Sequence, residues 1–275
     1  MTKQQDMTLE EAEQVMRRYY VSLLVEQMNE QVGNLDGCDC EVCKNRGYYF
    51  VNRGDWAEKV VCDCMKNRKV LSLAQHSGLG ALLETCKFEN FRDFGEAWLK
   101  NIYTRAQEFL SDNKSFFFMG GQVGAGKSFV CTSMVNEYIR REMDCKFVMW
   151  SELATMLKQN VMNDADKYNE IMTEIQNATV LYIDDFFNTT PTAADIDKAF
   201  QIINYRYNQA RIKPERYITL ISSERMLPEI KQIHEGIATR IGELATPRYT
   251  LNIKRVKGRN IRERIMREAV ASSEI

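Results

Sequence analysis

From residue 96 onward, short apolar runs alternate with longer stretches whose apolar residues recur at helical spacing. Ser115–Met119, Lys146–Trp150, Thr179–Asp184, Arg216–Ser223 and Tyr249–Ile253 each carry a brief, nearly continuous apolar run. That is the signature of strands buried on both faces. Between them, Ser128–Arg141, Ser151–Asn177, Ala193–Gln209 and Glu229–Leu244 predict helices, the last broken near Gly236. Glu96–Asp112 predicts a helix leading into the first strand. Strands alternating with helices predict an α/β fold, a parallel doubly wound sheet flanked by helices. Upstream, Leu9–Val32 has apolar residues at positions 12, 15, 16, 19, 20, 23, 24, 28 and 32 with Glu and Gln between. This predicts one long amphipathic helix or two short ones. Packing onto its own domain and docking a partner helix both fit that face.

At 275 residues the chain exceeds a usual single domain. The expected division is a helical docking segment over 1–34, a cysteine-bearing module over 35–80 and a large α/β domain over 81–275. The Gly residues of Ser77-Gly-Leu-Gly80 mark the hinge. A hydrophobic content of 44% with 27% charged residues suits a globular protein, and a net charge of −1 argues against wholesale coating by nucleic acid. A local exception is Lys254–Arg267, with seven Lys or Arg against one Glu, which fits a solvated face or a ligand or DNA contact. No apolar run approaches the ~20 residues needed to span a membrane, and the first residues are polar. No membrane association and a cytoplasmic location with reduced cysteines are therefore expected.

The densest chemistry lies at Gly121-Gln122-Val123-Gly124-Ala125-Gly126-Lys127-Ser128, which matches the phosphate-binding pattern G-x-x-x-x-G-K-[ST]. Glycines let the backbone approach a polyphosphate, and the loop N–H groups form an anion nest. Lys127 is placed to reach the β- and γ-phosphates of ATP, and the Ser128 hydroxyl to ligate Mg²⁺. The following helix aims its N-terminus at the phosphates. Some 57 residues after Lys127, an apolar strand ends in Asp184-Asp185. Asp184 is expected to hold Mg²⁺, directly or through water, and Asp185 to orient or deprotonate the attacking water.

Five of the eight cysteines fall between Cys38 and Cys64. Two knuckles flank Tyr48–Val51 and Arg53-Gly54, a segment expected to form a hairpin. Cys40, Cys43, Cys62 and Cys64 are the chosen Zn²⁺ ligands, with Cys38 able to replace Cys40. Reduced free thiols or a redox pair are the competing assignments. Cys86, Cys131 and Cys145 read as small buried hydrophobes.

Over roughly residues 35–265 the chain resembles the AAA+ ATPases of the DnaC/DnaI helicase-loader type, with phage relatives and the IstB-like group nearby. The resemblance rests on the Cys knuckles, Ser77-Gly78-Leu79, Phe88-Glu-Asn-Phe91, the phosphate loop, Ile183-Asp184-Asp185, Ile203–Asn208 and Ile221-Ser222-Ser223-Glu224. It implies a sensor role near the γ-phosphate for Ser223, and an arginine finger to a neighbouring subunit from Arg240. It also implies a nucleotide contact from Arg262. It further implies ATP-driven self-assembly, slow partner-stimulated hydrolysis, and recruitment of a replicative helicase to single-stranded DNA. DNA contacts are expected from residues 151–178, which include Lys158 and Lys167. A transposition helper of the IstB type, and a zinc-containing adaptor in which ATP is structural, are the alternatives.

Overall fold

The computed structural model describes residues 8–36, 39–112 and 114–273. Two compact units divide at Ser72/Leu73.

In the first unit, α1 spans Leu9–Glu30. Thr8 starts it with a capping box, its Oγ1 accepting the Glu11 N–H at 3.3 Å while Glu11 accepts the Thr8 N–H at 2.8 Å. The helix lies against the expected hairpin, β1 (Tyr48–Asn52) paired antiparallel with β2 (Ala57–Val61). Asn29 joins them, donating to the Phe50 carbonyl at 2.8 Å and accepting its N–H at 2.9 Å. Most of the remaining apolar face of α1 is exposed, including Met16, Tyr19, Tyr20 and Leu24. α2 follows at Cys64–His76.

In the second unit, α3 (Leu82–Thr85), a 3₁₀ turn at Phe88–Asn90 and α4 (Ala97–Ser111) precede the sheet. Then come β3 (Phe116–Gly121), α5 (Lys127–Arg140), β4 (Cys145–Met149), α6 (Trp150–Asn163), α7 (Ala165–Asn177) and β5 (Val180–Asp184). After them lie α8 (Ala193–Ala210), β6 (Ile218–Ser223), α9 (Leu227–Ile233), α10 (Glu235–Tyr249), β7 (Thr250–Ile253) and α11 (Ile261–Ser273). The five strands are parallel in the order β4-β5-β6-β3-β7. β3 and β6 are buried throughout, as strands covered on both faces require.

Two boundaries differ from expectation for local reasons. The helix break falls at His234, not Gly236. His234 is extended, and its Nδ1 accepts the Ile237 N–H at 3.1 Å, so the helix restarts one residue later with Gly236 in its first turn. Tyr249, expected in the last strand, ends α10 beyond a kink at Thr246 and packs edge-on to Phe109 at 5.1 Å.

The Ile203–Asn208 segment is explained by packing. Arg206 is wholly buried in α8. It donates to Thr219 Oγ1 at 2.8 Å and to the carbonyls of Gln176 at 3.0 Å, Ala178 at 2.8 Å and Ile218 at 2.7 Å. It thereby ties the end of α7 to the start of β6. Tyr205 donates to Asn177 Oδ1 at 2.9 Å, and Tyr207 to Glu243 at 2.9 Å.

Candidate nucleotide site and cysteine cluster

β3, between β6 and β7 in the sheet, ends in the phosphate loop. Gly121 has φ +108°, and a Cβ there would meet the Ile253 carbonyl oxygen at 2.1 Å. Gly124 has φ +69°, and a Cβ there would collide with the Asn260 side chain at 1.8 Å. Glycine is needed at both because the backbone is left-handed and another segment lies against it. At Gly124 that segment is the run into α11, fastened by Ile261 N–H to the Gly124 carbonyl at 2.8 Å.

Lys127 is buried and folds back over the loop, donating to the Gln122 carbonyl at 2.8 Å and Gly121 at 3.3 Å. Burial lowers its ammonium pKa, while Glu224, Asp185 and Asp184 favour the charge. Ser128 Oγ donates to Asp184 Oδ1 at 3.1 Å. The same carboxylate accepts from the Ser222 hydroxyl and from the Asp185 N–H at 3.0 Å. Ser128 and Asp184 together offer the hard oxygen donors that Mg²⁺ prefers. Asp185 sits at φ +52°. Burial, then the nearby Asp184 and Glu224 carboxylates, push its pKa above the usual range. Phe186 and Phe187 stack at 4.2 Å behind it, with Trp150 edge-on to both.

Lys127, Asp185 and Glu224 line a cavity of about 410 Å³ together with the apolar side chains of Phe91, Leu99, Ile261 and Ile265. A lining that combines charged groups, loop backbone and apolar side chains suits a nucleoside polyphosphate. Val123 to Ser128 and Arg262 also line it, Arg262 exposed.

Ser223, to which the resemblance gives a sensor role, is not among the cavity's residues. Its hydroxyl is buried, donates to the Phe186 carbonyl at 2.6 Å and accepts the Arg225 N–H at 3.0 Å. Ser222, on the opposite face of β6, is the hydroxyl that meets Asp184. The period-two alternation of a strand is the signal that separates them. Glu224, which lines the cavity, closes the Ile221–Glu224 motif, whose sequence alone suggests no role for it.

Arg240 is not among the cavity's residues. From α10 it donates to Asn204 Oδ1 and the Gly236 carbonyl, both at 2.9 Å, and lies over the Phe200 ring at 4.9 Å.

In the first unit, the hairpin gathers Cys40, Cys43, Cys62 and Cys64. One sulfur from each lies within 4.8 Å of every other. Cys40 and Cys62 are 3.6 Å apart, and Cys43 and Cys64 3.5 Å. A Zn²⁺ ion bound at about 2.3 Å by four thiolates sets sulfurs roughly 3.8 Å apart, so the set fits. Burial opposes ionisation of Cys43, but the Gly47 N–H and the neighbouring thiols lower it to about 6. Burial pushes Cys64 up to about 12. The Cys43 thiolate forms readily while Cys62 and Cys64 resist, so ionising them together needs a compensating dication. Cys38 lies outside the described residues. Cys131 and Cys145 are buried, whereas Cys86 is half-buried.

Comparison with known proteins places residues 55–232 in the family described as IstB-like ATP binding protein. The chain is 29% identical over 268 residues to the phage-like element PBSX protein XkdC of Bacillus subtilis (strain 168), spanning 92% of this chain and 95% of that protein. AMPPCP-bound DnaA from Aquifex aeolicus superposes with a TM-score of 0.52 at 17% identity, over 70% of this chain and 56% of that one. The fold is thus that of the AAA+ ATPases. The DnaC helicase loader superposes with a TM-score of 0.46 at 18% identity, over 62% and 96% of the two chains. No helix among the described residues is long and apolar enough to cross a membrane.

Proposed function

The chain belongs to the family of IstB-like ATP binding proteins, and from that premise we propose that it is a slow, partner-stimulated AAA+ ATPase. Its proposed task is to bring a hexameric replicative helicase to single-stranded DNA in the cytoplasm. The observation that carries the ATPase part is the Ser128–Asp184–Ser222 contact. It joins the phosphate loop, which lines the 410 Å³ cavity, to two neighbouring strand ends.

In this scheme the loop N–H groups and Lys127 hold the β- and γ-phosphates. Lys127 exchanges its two loop carbonyls for phosphate oxygens, which make stronger, charge-assisted bonds. Ser128 and Asp184 hold Mg²⁺, which when bound neutralises phosphate charge. Asp185 orients and accepts a proton from the attacking water. Ser222 takes the positioning role by fixing the Asp184 carboxylate. Arg262 contacts the nucleotide from α11. Arg240 reaches a neighbouring subunit's nucleotide after leaving Asn204, so assembly and hydrolysis are linked.

The four-cysteine cluster holds structural Zn²⁺ and keeps the hairpin folded under α1. Exposed Met16, Tyr19, Tyr20 and Leu24 on α1 supply the helicase-docking face. Co-purification of the full chain with a replicative helicase, with and without ATP, tests the loader role. ATP-dependent capture is expected. Failure to bind any replicative helicase, with ATP hydrolysis intact, would favour the transposition-helper alternative, which shares the ATPase core.

A further inference from the structure

Beside the nucleotide site lies a second cavity, of about 380 Å³, between α4 and the free edge of β7. Its charged residues are Arg105, Arg248, Lys254 and Arg259, with no carboxylate among the lining residues. Arg248 is paired with Glu108 at 2.9 Å. Arg105 is engaged by neutral acceptors, the Arg248 carbonyl at 3.2 Å and Asn101 Oδ1 at 3.4 Å. Lys254 and Arg259 have no acidic partner among the described residues. The Arg259 guanidinium lies over the Trp98 ring at 5.4 Å. The indole N–H of Trp98 is buried with no hydrogen-bond partner. That group can only donate. Three cations without a carboxylate partner and an unpartnered donor around one cavity suit an anionic acceptor.

The contrast with α6 and α7 is electrostatic. There Lys158 is paired with Asp195 at 2.9 Å and Lys167 with Glu170 at 2.8 Å, while Lys146 on β4 meets Glu174 at 2.5 Å. Cations already neutralised release few counterions on meeting a phosphate chain. Unpaired cations gain the full benefit.

We infer that the α4–β7 edge binds the phosphodiester backbone of single-stranded nucleic acid, with Lys254, Arg259 and Arg105 on the phosphates and the Trp98 N–H on a phosphate oxygen. The assignment rests on the proposed contact with single-stranded DNA and moves that contact away from residues 151–178. A polymer fits better than a free anion. Arg248 and Lys254 are exposed, and long exposed cations hold a small ion weakly but add up along a polyanion.

The test is fluorescence anisotropy of a labelled oligothymidylate against the full chain over a salt series, using Lys254→Ala/Arg259→Ala and Lys158→Ala/Lys167→Ala. The first variant should bind about tenfold or more weakly at low salt. Its log K against log[salt] slope should be shallower by about 1.4, at ~0.7 for each of the two phosphates no longer neutralised. The second should stay within about twofold of the parent. In ¹⁵N spectra the Trp98 indole peak, assigned with Trp98→Phe, should shift with oligonucleotide but not with inorganic phosphate. An unchanged slope in the first variant, or no oligonucleotide binding by the parent, overturns the assignment. So does an indole shift equally produced by inorganic phosphate. Unaltered ATP affinity measured on the same samples would leave the ATPase function standing while this inference fails.

Discussion

Replacing Arg206 with Met keeps a long side chain but removes every donor. Arg206 is fully buried, and its bonds to Gln176, Ala178, Ile218 and Thr219 are 2.7–3.0 Å long. Burial pulls its guanidinium down to about 9, still charged at neutral pH. In the variant Thr219 can turn its hydroxyl elsewhere, but the backbone carbonyls cannot move. Each buried acceptor left without a partner costs about 1–3 kcal/mol. Relief of the desolvated cation offsets part of that, leaving a net loss of about 3–5 kcal/mol. For a unit of this size about 2–4 °C is lost per kcal/mol. The melting temperature of the second unit should therefore fall by roughly 6–20 °C, read by circular dichroism. Arg206→Lys should fall between the two, since one ammonium cannot span acceptors on α7 and β6. A shift under about 2 °C for Arg206→Met, less than a single kcal/mol produces, would refute the claim that this residue fastens the two elements.

Asp185→Asn should bind ATP near normally but hydrolyse it at least about tenfold more slowly in single-turnover assays. In the parent, hydrolysis should fall as pH drops through a pKa above the ordinary carboxylate range, because the raised Asp185 must be ionised to act. Its contribution to stability has the opposite sign. The folded state binds this proton more tightly than the unfolded chain, so between the two pKa values stability rises as pH falls, measurable by denaturant titration. Arg240→Ala should leave monomer ATP binding near normal and reduce ATP-dependent assembly and hydrolysis. Mixing it with Lys127→Ala should restore some activity, whereas no recovery in confirmed assemblies would place Arg240 within its own subunit. Protein purified without chelator should carry about one Zn²⁺ per chain, and its removal should unfold the cysteine module, since such sites contribute roughly 10–16 kcal/mol of apparent binding energy. Cys43→Ser retaining full zinc and an unchanged melt would count against the cluster.

The parallel sheet was legible because β3, β5 and β6 are almost wholly buried and read as nearly unbroken apolar runs. The phosphate loop was legible because glycine, lysine and serine at fixed spacing have few other reasons to coincide. Ser222 and Ser223 were not separable by composition. Adjacent strand residues point to opposite faces, and only the register of β6 against β5 decides which one meets Asp184. The break at His234 was hidden because a histidine nitrogen replaced the usual Ser, Thr, Asp or Asn as the cap. The apolar wall made by Ile261 and Ile265 was invisible for another reason. It comes from a basic stretch far along the chain, brought to the loop by the Ile261–Gly124 contact.

The most direct measurement is calorimetric titration of Mg·ATP into the full chain and into Lys127→Ala. The parent should bind one nucleotide per chain. Loss of a charge-assisted bond worth about 1.5–3 kcal/mol should weaken the variant by about 10- to 150-fold. Equal affinity in the two proteins, or no binding by the parent, would contradict a nucleotide site at this loop.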